Sequence, residues 1–157
     1  MPAATTAGKL MRAEVLVELL AQIAGQPGME RWRLFSGWPG QDMPREALWV
    51  YDVTGVVSFP LAMAGPKIYD DQFMVTLKML SRSGGTDQQT VLLTCQEAMN
   101  ATVEVLRSDA VLGDRVAGVV KVLPGDIHGP YVAPNTAGDP GWEAHAEIEI
   151  ACWIRVQ

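Results

Sequence analysis

A chain of 157 residues, 48% of them apolar, carries enough hydrophobic material for one domain with its own core, with no need of a disulfide or a metal to hold it. Twelve Lys and Arg against 18 Asp and Glu give a formal charge of −6, which excludes static attachment to nucleic acid or to an anionic membrane, since both need clustered cations to displace counterions. Met1 to Gly8 has neither the basic start nor the apolar centre of a signal peptide, and no run of about twenty apolar residues could span a bilayer. The chain is therefore expected to fold in a reducing cytoplasm, with Cys95 and Cys152 as buried free thiols, because two isolated cysteines do not make the paired CxxC spacing of a zinc site.

In chain order, residues 1–9 are small and polar and read as a flexible arm. Leu10 to Ala24 follows with Leu10, Met11, Val15, Leu19 and Ile23 near helical spacing and Glu14, Glu18 and Gln22 on another face, stopped by Gly25 and Pro27. Glu30 to Phe35 is a short strand candidate before the turn-prone GWPG at 37–40. Leu48 to Val57 is rich in β-branched and aromatic residues and reads as a strand bulged or broken at Gly55.

Tyr69 to Met79 raises a chemical question, because Asp70 and Asp71 stand side by side in a strand. Alternate strand side chains point to opposite faces, so Asp70 joins the polar set Gln72, Thr76 and Lys78, while Asp71 begins the apolar row Phe73, Val75, Leu77 and Met79. Neighbours on opposite faces do not aim two carboxylates at one metal or substrate. Asp71, on the apolar row, needs a cation, a backbone donor or exposure at the strand end. Thr86 and Gln89 have the spacing of a capping box for a long helix to Arg107, on which Leu92, Cys95, Met99, Val103 and Leu106 follow the helical period.

Val116 to Leu123 is another strand candidate. Residues 124–141, PGDIHGPYVAPNTAGDPG, hold so many prolines and glycines that they read as a projecting, partner-binding loop. The final segment alternates most clearly: Trp142, Ala144, Ala146, Ile148, Ile150, Cys152, Ile154 and Val156 against Glu143, His145, Glu147 and Glu149, a long strand with one buried and one acidic face. This order of elements predicts a single α+β domain over residues 10–157, a mainly antiparallel sheet packed against two helices.

No phosphate loop, nucleophile elbow or metal-ligand spacing is present, so no catalytic, metal or cofactor-binding residues are assigned and no enzymatic activity is expected. His145, between Glu143 and Glu147, has ligand-type neighbours, but a solvated strand face is the better reading of it. His128 falls in the 124–141 segment. The five tryptophans lack the basic groove of a single-strand binder, and core or subunit contacts suit them better.

An amphipathic first helix, a strand-rich middle, IYDDQFMVTLKM, a long helix, RSDAVLGDRVAGVVKV with its Asp109 to Asp114 turn, and the closing alternating strand together resemble the tail terminator proteins of long-tailed, siphovirus-like bacteriophages. The resemblance covers residues 10–156 as an order of elements. It implies a virion protein assembled in the host cytoplasm, a homohexameric ring that caps the tail tube protein, ends tail elongation and joins the head completion or connector protein, with DNA in transit through the lumen. It implies no cofactor and no membrane. On that reading Glu143, His145, Glu147 and Glu149 are candidate lumen-facing residues, since carboxylates keep a duplex mobile. Trp38, Trp49, Phe59 and Tyr131, in turn-rich or edge segments, are candidate subunit or partner contacts. The alternatives are another head–tail joining or tail tube protein, and a metal-dependent hydrolase built on Asp70, Asp71, His145 and nearby glutamates.

Overall fold

In the computed structural model the described residues are 10–58, 69–85, 87–108, 112, 116, 118–136 and 140–156. They form, in order, α1 (Arg12–Ala24), β1 (Arg33–Phe35), β2 (Glu46–Ser58), β3 (Tyr69–Ser83), α2 (Gln88–Arg107), β4 (Val119–Pro134) and β5 (Trp142–Val156). The sheet order is β1-β2-β3-β5-β4, with β1 parallel to β2 and every other pairing antiparallel. This is the expected α+β domain, with both helices on one face of a five-stranded sheet.

The two strands with the clearest alternation form the middle of the sheet. β3 and β5 pair from Tyr69↔Val156 to Ser83↔Trp142 without a register shift. Their apolar rows, Phe73, Val75, Leu77 and Met79 on one and Ala144, Ala146, Ile148, Ile150, Cys152 and Ile154 on the other, are buried together under the helices. An unbroken period of two on both strands leaves a single register that hides both apolar rows.

α1 contributes Val15, Leu19, Leu20 and Ile23 to this core. α2 begins one residue later than the capping-box spacing implies. Its N-cap is Asp87, whose carboxylate accepts from the backbone N–H groups of Gln89 and Thr90, and Thr86 lies outside the described residues. The buried stripe of α2 also differs from the expected one: Val103 is exposed, Leu92 is half-buried, and Thr94 and Thr102 are buried instead. Each threonine hydroxyl donates to the carbonyl four residues back, Thr90 at 2.8 Å and Ala98 at 2.9 Å, so neither is left unsatisfied on the core side. A stripe drawn from apolar letters alone misses them.

Two expectations are corrected here. The irregularity in β2 falls at Tyr51, between the pairs Val50↔Leu77 and Asp52↔Thr76, while Gly55 pairs regularly with Phe73. Gly55 is there for close approach: a Cβ would sit 2.4 Å from the Phe73 Cα and 2.2 Å from the Gln72 carbonyl oxygen. The second correction is larger. Residues 124–134 are not a projecting loop; they are the second half of β4, paired to β5 from Pro124↔Ile150 to Pro134↔Trp142. The prolines and glycines are accommodated because β4 is an edge strand and its register shifts at Val119/Lys121, Pro124/Ile127 and His128/Tyr131. The turn that remains, 135–141, is tied by Asn135, whose side-chain amide donates to the Pro140 carbonyl at 2.9 Å; residues 137–139 lie outside the described set. So do the 1–9 arm, Phe59 and most of Asp109–Asp114, of which Leu112 is described and fully buried.

Candidate functional site

The face of the sheet turned away from the helices holds a second, smaller apolar cluster, Ala47, Trp49 and Leu80, with Phe35 and Met43 against it. Beside this cluster is a cavity of about 400 Å³, walled by the 38–43 segment, by β2, β3 and β5, and by Tyr131 and Thr136. The geometry follows from strand parity: residues opposite the core rows, among them Trp49, Lys78, His145 and Glu147, all project to this side.

The floor is aromatic. Trp49 is only 5% exposed and meets Trp38 edge to face, with ring centroids 5.7 Å apart at 82°. Trp38 itself is 69% exposed. The Trp49 indole N–H is buried with no acceptor among the described residues. Across the cavity, Tyr131 is 57% exposed and stacks on His145, with centroids 5.3 Å apart at 16°. Arg82 closes the far side by donating to the carbonyl oxygens of Met43 and Pro44.

The charges on this face are largely paired. Lys78 lies 3.3 Å from the Glu147 carboxylate, its direct cross-strand partner, and 3.6 Å from the centre of the Tyr51 ring. His145 Nε2 is 3.1 Å from Glu143 Oε1, and the same carboxylate oxygen accepts from the Thr136 backbone N–H at 3.2 Å. Glu143 is 1% exposed. It is therefore removed from the set of lumen-facing candidates: within the chain it is a buried acceptor that ties the 135–141 turn to β5. His145, Glu147 and Glu149 are half-buried on the open face.

The four aromatic candidates divide in the same way. Trp38 and Tyr131 present exposed rings at one cavity, Trp49 is buried beneath Trp38, and Phe59 lies outside the described residues. Sequence reading did not anticipate that three of these aromatics and three of the candidate β5 residues would line one cavity, nor that Lys78, Met43 and Arg82 would join them. The only available signal was the parity of Lys78 with Gln72 and Thr76.

The adjacent aspartates are separated, as strand parity requires. Asp71 is fully buried and receives two hydrogen bonds from Arg12, Nε at 2.8 Å and Nη2 at 2.7 Å. Asp70, on the other face, receives two from Arg155, Nε at 2.9 Å and Nη2 at 3.1 Å. Arg155 holds the Asp70 carboxyl below its ordinary value, and the carboxylates raise both guanidinium pKa values in return. Neither aspartate is placed to act with His145 as a hydrolytic centre.

No family model matches the chain, and no curated protein matches it. Among solved structures, a chain from the virion of a native gene transfer agent (GTA) particle is similar over 89% of this chain and 93% of that one, at 7% sequence identity and a TM-score of 0.47.

Proposed function

We propose that this chain is a structural virion protein of the tail terminator kind, forming a ring that caps the tail tube, ends elongation and joins the tail to the head connector. The observation that carries the proposal is the convergence of Trp38, Tyr131, His145 and Lys78 around one open cavity on the sheet face turned away from the two described helices. Exposed aromatic rings at the rim of a partly desolvated pocket, flanked by paired charges, are the usual composition of an interface centre. The occupant assigned to this cavity is a neighbouring copy of the chain. A closed ring requires a heterologous contact, in which this patch meets a different surface on the next subunit.

Exposed apolar residues outside the lining of this cavity supply such a second surface: Val56 on the outer half of β2 and Leu123 on β4, which border a separate hollow. The net charge of −6 suits a ring through which DNA slides without being held. The acidic lining first placed on Glu143, His145, Glu147 and Glu149 is not retained as a set, since Glu143 is buried and Glu147 is paired with Lys78.

The test is the assembly state of the purified protein, alone and with its tail tube protein, by native mass spectrometry and electron microscopy. A closed ring of fixed copy number, alone or at the end of a tube, supports the terminator reading. Stacking into open-ended tubes assigns the chain to the tube instead. A monomer that neither closes into a ring nor binds a tube end contradicts the proposal.

A further inference from the structure

The strand that replaces the expected 124–141 loop brings three metal-ligating side chains together. Asp126, His128 and Glu149 each offer a ligand atom, and these atoms lie within 4.8 Å of one another. The backbone explains how. The β4–β5 register passes from Pro124↔Ile150 directly to Ile127↔Ile148, so Gly125 and Asp126 both stand opposite the single residue Glu149. Two residues facing one is the definition of a bulge. Gly125 makes the approach possible, since a Cβ there would meet both the Cβ and the carbonyl oxygen of Glu149 at 3.2 Å. Asp126 and His128, two apart on one strand, then share the side on which Glu149 projects.

We propose that Asp126, His128 and Glu149 form a divalent transition-metal site that pins the β4 bulge to β5, with zinc as the ion of the fitting class. One imidazole and two carboxylates suit a borderline ion better than calcium or magnesium, which favour all-oxygen sets. Zinc sits roughly 2.0–2.2 Å from such donors, so two donors on one ion are about 3–4 Å apart. Asp126 and His128 are exposed and Glu149 is half-buried, so closing a span of 4.8 Å to that range calls on rotation of these side chains. Three protein ligands on one side leave the remaining coordination to solvent. The site is independent of the ring proposal: it uses neither Trp38 nor Tyr131, and a monomer would hold it equally.

The experiment uses tag-free, chelator-treated protein titrated with Zn²⁺ alone by isothermal calorimetry, with the thermal midpoint followed in parallel. The expected result is one equivalent of Zn²⁺ per chain and a raised midpoint. His128→Ala and Glu149→Gln should each weaken binding tenfold or more, while their metal-free circular dichroism matches the wild type. His145→Ala should bind as the wild type does, because that imidazole belongs to the Glu143 and Tyr131 contacts. Absence of saturable binding in the wild type overturns the proposal. So does unchanged affinity in His128→Ala, or loss in His145→Ala with retention in His128→Ala.

Discussion

Arg12 and Asp71, 59 positions apart in the chain, meet as a two-bond guanidinium–carboxylate pair at the edge of the core, with the Asp71 side chain fully buried. This contact fastens α1 to the start of β3 and satisfies the one carboxylate that strand parity sends to the apolar face. Removing the arginine strands that carboxylate without its partner, the costly way to break a buried pair. Arg12→Ala is expected to lower stability by about 3 kcal/mol or more in equilibrium urea unfolding. A loss under about 1 kcal/mol, the range of an exposed pair, would show that Asp71 is solvated in solution.

Asp70 gives a pH dependence of defined sign. Its folded-state pKa is lowered by Arg155, so its contribution is complete above the unfolded aspartate value near 4 and is lost as the pH falls through the lower folded value. The stability difference between wild type and Asp70→Asn should therefore be constant from about pH 5 upward and narrow as the pH falls below about 4. Urea midpoints across that range measure it. A difference that widens on acidification would reverse the assignment.

Burial pushes the thiols of Cys95 and Cys152 up to about 12, with the charge of Asp71 adding to the effect at Cys152. At pH 8 both are thiols rather than thiolates, and both are enclosed by core. Native protein should react with a disulfide reagent only as fast as it opens, and both thiols should react at once in denaturant. Prompt labelling of either in the native state would place that strand or helix outside the packed core.

Gly55→Ala should destabilise by about 1–3 kcal/mol, because the added methyl overlaps the β3 backbone and not a movable side chain. Thermal unfolding tests this, with Gly84→Ala as the comparison, since nothing lies within 4 Å of a Cβ there. Equal effects at the two positions would mean that β2 and β3 sit farther apart around Gly55.

Much of the fold was legible in the sequence, for reasons specific to each element. The rows of β3 and β5 could be read because a period of two with one buried face permits a single register. Parity also separates Asp70 from Asp71 and asks for a cation, a backbone donor or exposure at Asp71, although it does not choose among them or name Arg12, since nothing local links residues 59 apart. β4 was missed because proline and glycine signal breaks within a segment, whereas an edge strand with bulges tolerates both; that tolerance depends on sheet position, a tertiary fact. The same error hid the Asp126, His128 and Glu149 cluster. Glu143 has polar parity, yet its carboxylate is taken up inside the chain by the Thr136 backbone N–H and the His145 imidazole, contacts that parity does not show. The burial of Trp49, a candidate contact residue, is not legible locally because Trp38, which covers it, lies eleven positions away across a turn.

The two rim aromatics and the buried one should respond differently to truncation. Trp38→Ala and Tyr131→Ala are expected to weaken subunit association by about 2 kcal/mol each while leaving the monomer's unfolding midpoint nearly unchanged. Trp49→Ala, which empties the floor of the cavity, should cost the monomer about 3–5 kcal/mol. Sedimentation velocity beside urea unfolding separates the two effects. A Trp38→Ala variant that assembles normally would move the contact away from this cavity.

The central claim is tested most directly by the length of tails in particles assembled without this chain. Electron micrographs of such particles should show tails of uncontrolled length, or tails not joined to heads, and supplying the protein should restore uniform joined tails. Tails of normal length joined to heads in its absence would contradict the terminator assignment.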